Sequence, residues 1–273
     1  VVFIFLEKNL ILEAKNLTVG YADGGKTNNI LTSINLCLDE GKMIAVIGVN
    51  GSGKSTLLRS LTGVQEVLKG QVYIQGIDSR KLNPKELASK MSLVLTNQPI
   101  SKNLSVYELI SLGRHPYTNW LGINSPNDKK IILKALQQVG LQDLRDKKCD
   151  ELSDGQLQKV LLARAIAQDT PLIILDEPTT HLDMYHKAQV LHLLKDVCLQ
   201  TKKTVIFASH ELNLAIQLCD EIVLINNGKA YQGSPQELID SGDFNQLFPQ
   251  DLIEFDQSSR SFRVSKKQID KYQ

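Results

Sequence analysis

Residues 43–56 read Met43-Ile44-Ala45-Val46-Ile47-Gly48-Val49-Asn50-Gly51-Ser52-Gly53-Lys54-Ser55-Thr56. Met43–Ile47 is an unbroken apolar run, the mark of a strand buried on both faces of a parallel sheet. Gly48, Gly51 and Gly53 let the backbone curl, so that successive N–H groups can point inward at an anion. Thr56–Leu61 then reads as a helix, whose N-terminus adds about half a positive charge. The spacing is G-x-x-x-x-G-K-S in a strand–loop–helix context, which together define a phosphate-binding loop. A Gly-rich turn with a chance lysine is the competing reading, and the context disfavours it. Gly48, Asn50, Gly51, Ser52 and Gly53 are expected to cradle phosphates. Lys54 should reach the β- and γ-phosphates, Ser55 should hold Mg²⁺ and Thr56 should reach the α-phosphate. The motif implies a nucleoside triphosphate and is silent on what its energy does.

A second buried run, Leu172–Leu175, ends in Asp176-Glu177-Pro178. Alone, these would be two surface acids. Beside a phosphate loop, an acid at the carboxyl end of a buried strand lies in the crevice where α/β ligands bind. Asp176 is expected to hold Mg²⁺ through water, and Glu177 to orient or deprotonate the attacking water.

Val205–Ala208 and Ile222–Ile225 are further apolar runs, and helices follow three of the four, so the class is α/β with a doubly wound, mainly parallel sheet. Leu10–Val19 and Leu31–Leu38 read as half-buried strands, with Ile34, Leu36 and Leu38 on one face. Asn83-Pro84-Lys85-Glu86 is a helix start, and Ser92–Leu95 another strand. From Gln98 to Gln168 the clear elements are helices. One is Ser105–Leu112, expected to end at Gly113. Another is Asp128–Val139, ending at Gly140, with Ile132, Ala135, Leu136 and Val139 on one face. We therefore expect one domain over 1–273. Residues 1–97 and 169–273 form its nucleotide-binding core, and 98–168 an inserted helical subdomain.

The 273 residues carry a net charge of +1 and are 42% hydrophobic and 22% charged. That excludes global disorder and leaves no strong field for nucleic acid or an anionic membrane surface. Cys37, Cys149, Cys198 and Cys219 have no metal or redox spacing and read as reduced cytosolic thiols. The longest apolar run, Val1–Leu6, is far short of the roughly 20 residues that span a bilayer. It also lacks the flanks of a signal peptide, so no membrane crossing is expected.

Leu152-Ser153-Asp154-Gly155-Gln156 resembles the L-S-G-G-Q signature of ATP-binding-cassette (ABC) ATPases, with Asp154 in place of the first glycine. Other elements fall in the family's order: Tyr21 before the phosphate loop, Gln98 after a strand, Leu182-Asp183 after the acidic pair, and His210 at the end of the next strand. The resemblance covers nearly the whole chain. It implies a P-loop NTPase core, an antiparallel β part and a helical subdomain. It further implies ATP and Mg²⁺ as ligands, with Tyr21 stacking on adenine and Gln98 sensing Mg²⁺ and water. His210 would contact the γ-phosphate. Ser153, Gly155 and Gln156 would act on the nucleotide of a second, head-to-tail copy, and Asp183, counted with the nucleotide-binding residues, would link the two sites across the dimer. Ser153 and Gln156 also form an S-x-x-Q capping box, a sufficient local reason for both. His181, His186 and His192 read as surface or helix residues.

Gly113-Arg114-His115-Pro116-Tyr117 and the tail around Leu252–Asp256 and Ser261–Val264 resemble importers of iron–siderophore complexes, haem and cobalamin. That implies a homodimer when ATP is bound, membrane permease subunits, indirectly a substrate-binding protein, and a peripheral place on the cytoplasmic face of the membrane. Arg114 also suits a helix C-terminus through the dipole. Trp120 reads as a packing or membrane-partner contact. An exporter subunit, or a soluble cassette acting on nucleic acid or ribosomes, remains open. The second usually needs tandem cassettes or a basic face, and we expect no nucleic-acid partner.

Overall fold

The computed structural model describes residues 9–95, 101, 103–180, 182–249 and 251–265. The apolar runs become the centre of a six-stranded sheet. Its strands are β3 (Met43–Gly48), β6 (Met91–Val94), β7 (Leu172–Asp176), β8 (Thr204–Ser209), β9 (Glu221–Asn226) and β10 (Lys229–Gly233). The order is β10-β9-β3-β8-β7-β6, parallel throughout except for the β9–β10 hairpin. Chain order runs β3, β7, β8, but in space β8 lies between the other two. The loops after these strands therefore emerge side by side at one edge.

Period-two alternation divides the core. Ile44, Val46, Leu172, Ile174, Ile206 and Ala208 face one side, with α1 (Lys54–Leu61) and a four-stranded antiparallel sheet. That sheet comprises β1 (Leu10–Asp23), β2 (Lys26–Asp39), β4 (Lys69–Ile74) and β5 (Ile77–Asp78), in the order β2-β1-β4-β5. Met43, Ala45, Ile47, Ile173, Leu175, Val205 and Phe207 face the other side, against helices. Complete burial of β3, β7 and β8 bears out the reading of central parallel strands.

The helices on that side are α3 (Val106–Ser111), α4 (Pro126–Gln138), α5 (Asp154–Ala167), α6 (Met184–Thr201), α7 (Leu212–Leu218) and α8 (Pro235–Asp240), while α2 (Pro84–Lys90) precedes β6. Capping boxes open α2, α3, α4, α5 and α8, at Asn83, Ser105, Ser125, Ser153 and Ser234. The tail forms a hairpin of β11 (Ile253–Asp256) and β12 (Ser261–Val264), which seats its own Phe255 and Phe262 on Phe244.

Three local expectations need correction. The chain does not stop at Gly113 but tightens into a 3₁₀ segment, Leu112–Tyr117. Gly113 is there for close approach: a Cβ would run into the Arg164 carbonyl oxygen of α5. β1 and β2 extend beyond the expected strands as a two-stranded ribbon, Gly20–Asp23 with Lys26–Asn29, exposed from Tyr21 onward and tied to the core where the Gln65 side chain donates to Gly20 O. Arg114 is buried and caps α5, not its own helix: its guanidinium donates to Ala167 O (2.9 Å) and Gln168 O (3.3 Å) and pairs with Asp128 at 2.8 Å.

Cys149, Cys198 and Cys219 are buried thiols and Cys37 is exposed. Among the described residues no helix is long and apolar enough to cross a membrane. Val1–Leu6, Gln98 and His181 lie outside the described residues.

Candidate active site

Gly51 and Gly53 adopt positive φ, 75° and 103°, which turn the loop inward. Gly48 is needed for a different reason: a Cβ would sit 2.6 Å from Ser52 Oγ and 2.7 Å from Ile225 O. Lys54 folds back over the loop, donating to Gly48 O at 3.0 Å and Val49 O at 3.2 Å. Burial pushes its ammonium below the ordinary lysine value, while the Glu177 and Asp176 carboxylates pull it back up. Ser52 Oγ is buried with no hydrogen-bond partner among the described residues.

Ser55 Oγ donates to Asp176 Oδ1 at 2.8 Å, joining the loop to the end of β7. Both are hard oxygen donors, the type that Mg²⁺ takes while keeping several waters, so the pair fits that ion. Glu177, next in the chain, has φ +53°. A non-glycine residue in the left-handed region carries strain of order 1–3 kcal/mol, held by its surroundings. Here Thr180 Oγ1 donates to Glu177 Oε2 at 3.1 Å, and His210 Nε2 lies 2.6 Å from Oε1.

These groups surround a cavity of about 420 Å³ lined by Tyr21, Ile30, Asn50, Gly51, Gly53, Lys54, Ser55, Thr56, Glu177 and His210. Tyr21 is half-exposed at its rim, its hydroxyl 3.4 Å from Thr56 Oγ1. Phosphate loop, carboxylates and histidine thus meet at one place, delivered by β3, β7 and β8.

The signature lies elsewhere. Ser153, Asp154, Gly155 and Gln156 line a second cavity, of about 550 Å³, with Lys159, Leu182, Asp183 and His186. Ser153 Oγ accepts from the Gln156 N–H at 3.3 Å, and Gln156 Oε1 from the Ser153 N–H at 3.1 Å, so the capping box is closed. Asp183 caps α6, accepting from the His186 N–H at 2.9 Å, and the His186 ring lies 2.9 Å from both carboxylate oxygens. The His186 N–H, then its ring, hold that carboxyl below the usual range. The two cavities share no lining residue.

Sequence reasoning missed the Asp183 contact of His186, because two side chains on the first turn of a helix read only as exposed polar positions. It also left Trp120 as a packing residue or a partner contact. At 92% exposure Trp120 does not pack, and it shares a protruding loop with exposed Leu121 and Ile123.

Residues 31–180 match the ABC transporter family, and the chain belongs to it. It is an ATP-hydrolysing cassette of that family. The achromobactin transport ATP-binding protein CbrD of Dickeya dadantii is 38% identical over 230 residues, covering 84% of each chain. The iron(3+)-hydroxamate import ATP-binding protein FhuC of Bacillus subtilis is 32% identical over 238 residues, 87% of each. Among solved structures, the dimeric bacterial ABC transporter cassette MJ0796 superposes with a TM-score of 0.72 at 28% identity, over 82% of this chain and 98% of that one.

Proposed function

We propose that the chain is the energy-coupling subunit of an importer for a metal chelate of the iron(III)-siderophore type, with haem and cobalamin as the neighbouring cargo classes. ATP binds at the phosphate loop with Tyr21 against the adenine, and Ser55 and Asp176 hold Mg²⁺ beside the phosphates. Bound there, the ion neutralises charge developing on the transferred phosphoryl group. Glu177, with its carboxylate facing the cavity, orients or deprotonates the water, and His210 fixes that carboxylate and meets the γ-phosphate. Gln98 is assigned to the same task as metal and water sensor. Residues 98–168 form the helical subdomain, between core segments 1–97 and 169–273.

The observation that carries the dimeric part is the separation of the two cavities. A signature whose helix end can attract an anion, yet shares no wall with the phosphate loop of its own chain, suits the nucleotide of a second copy. Two such copies, head to tail, each complete the other's site through Ser153, Gly155, Gln156 and Asp183. The apolar tip at Trp120, Leu121 and Ile123 suits contact with a permease on the cytoplasmic face of the membrane, with a substrate-binding protein further along the path. The names of the relatives, for achromobactin transport and iron(3+)-hydroxamate import, support the cargo class.

Pull-down from gently solubilised native membranes tests this. A stoichiometric polytopic permease is expected, and reconstituted with it the chain should drive uptake of a ferric chelate. Ribosomal proteins or nucleic acid with no permease would overturn the transport role and leave the ATPase chemistry standing. Efflux from the reconstituted pair would make it an exporter.

A further inference from the structure

The first turn of α6 and the residue that caps α7 share an ion pair outside the nucleotide cavity. Lys187 Nζ lies 2.5 Å from Glu211 Oε1, with the two side chains 24% and 31% exposed. Glu211 directly follows His210, and its N–H is fixed by the Ser209 hydroxyl at 2.9 Å. Neither Lys187 nor Glu211 lines the cavity that Glu177 and His210 line.

Lys187 is also tied back to the acidic pair along the chain. Its N–H donates to Asp183 O at 2.9 Å, Leu182 N–H to Thr179 O at 3.3 Å, and Thr180 N–H to Glu177 O at 3.2 Å. The described residues 177–180 and 182–187 thus carry three backbone turn bonds, and the Thr180 hydroxyl closes onto Glu177. His210 and Glu211 are covalent neighbours. So, beyond the β7–β8 ladder, the residues that follow the two strands are joined by two side-chain contacts: Glu177 to His210 at 2.6 Å, and Lys187 to Glu211. The strand ladders end at Ala208 and Ser209, so beyond them the second contact adds a hold on the residues next to His210.

Packing α6 against α7 is the plainer purpose. Partly exposed ion pairs contribute little to stability, however, so a stability role explains the pair poorly. We infer that Lys187 and Glu211 are positioning residues for hydrolysis, a second latch that holds the His210 imidazole on the Glu177 carboxylate. The inference rests on the proposed roles of Glu177 and His210. It assigns the first turn of α6, which Asp183 caps, a mechanical link to the histidine of the same chain.

The test is steady-state ATP turnover of the full chain with Lys187→Met, Glu211→Gln, Lys187→Arg and the swap Lys187→Glu with Glu211→Lys. Misplacing a catalytic contact by about 1 Å can cost up to about 100-fold, so loss of one of two tethers should lower kcat about 10-fold. KM for ATP and Tm should hold, Lys187→Arg should behave as wild type, and the swap should recover most of kcat. Unchanged kcat in both single variants overturns the latch. So does a joint loss of kcat and Tm that the swap leaves unrepaired, because that is packing. Glu177→Gln separates the two readings: if it still turns over, the site assignment itself has failed. If it is silent while Lys187→Met matches wild type, only the latch has failed.

Discussion

The phosphate loop and the signature both present a helix N-terminus, but they are finished to different degrees. At the signature, Ser153 and Gln156 satisfy each other, and α5 opens with its cap closed. At the phosphate loop the cap position is Gly53, which has no side chain to give. Lys54 turns its charge onto two carbonyls of its own loop, and Glu177 sits at positive φ. One helix end is complete within the chain and can only be added to. The other keeps its donors for an anion, and depends on neighbouring strands to hold it in shape.

The largest test of that contrast is Glu177→Gln, which keeps the shape and the Thr180 contact but removes the proposed base. Turnover should fall by roughly 10² to 10⁴ with ATP still bound. Retained turnover in an ATPase assay would place the base elsewhere.

Next is Lys54→Ala. Hydrogen bonds to charged groups are worth about 1.5–3 kcal/mol each, so losing two to phosphate should weaken nucleotide binding by roughly 10² or more. Titration calorimetry should show this while the fold survives, since the hydrogen bonds given up are with its own loop. Normal affinity would mean the loop is not where phosphate binds.

Arg114→Ala acts at the far end of the signature helix. Asp128 would be left buried without its ion partner, which costs about 3–5 kcal/mol. Denaturant unfolding should show it, and nucleotide affinity at the phosphate loop should stay close to wild type.

Ser153→Ala is the smallest, about 1 kcal/mol from a lost cap. Ser153→Arg should instead permit ATP binding and block closure of the dimer, read by size-exclusion chromatography. Dimers forming as usual would break the shared-site reading.

A mild acid titration sharpens the same comparison. The Ser125 hydroxyl first, then Arg114, hold the Asp128 carboxyl below its usual range. Such a group adds stability above the unfolded carboxylate value of about 3.9, and that stability is lost as pH falls through the lower folded value. The helical side should therefore resist mild acid and loosen only below about pH 4.

Much of this was legible in sequence because the chemistry is contiguous. Gly48–Thr56 and Leu172–Glu177 carry their strand, turn and functional groups in single stretches. Less legible elements take their meaning from distant partners. β4 mixes Lys69, Gln71 and Tyr73 with Val72 and Ile74, and it forms by pairing with β1. Gly113 resembled a helix stop because its reason, the Arg164 carbonyl on another helix, is not local. Arg114 found the right kind of partner, a helix C-terminus, on the wrong helix for the same reason.

That cap on α5 has a mechanical consequence. The helix has 14 residues, a length of about 21 Å at 1.5 Å per residue. The capping box grips its first turn and the Arg114 guanidinium its last, so neither end is free to fray. It is a stiff lever with a handle at each end: whatever displaces the Leu112–Tyr117 segment also displaces Ser153, with little lost to bending on the way.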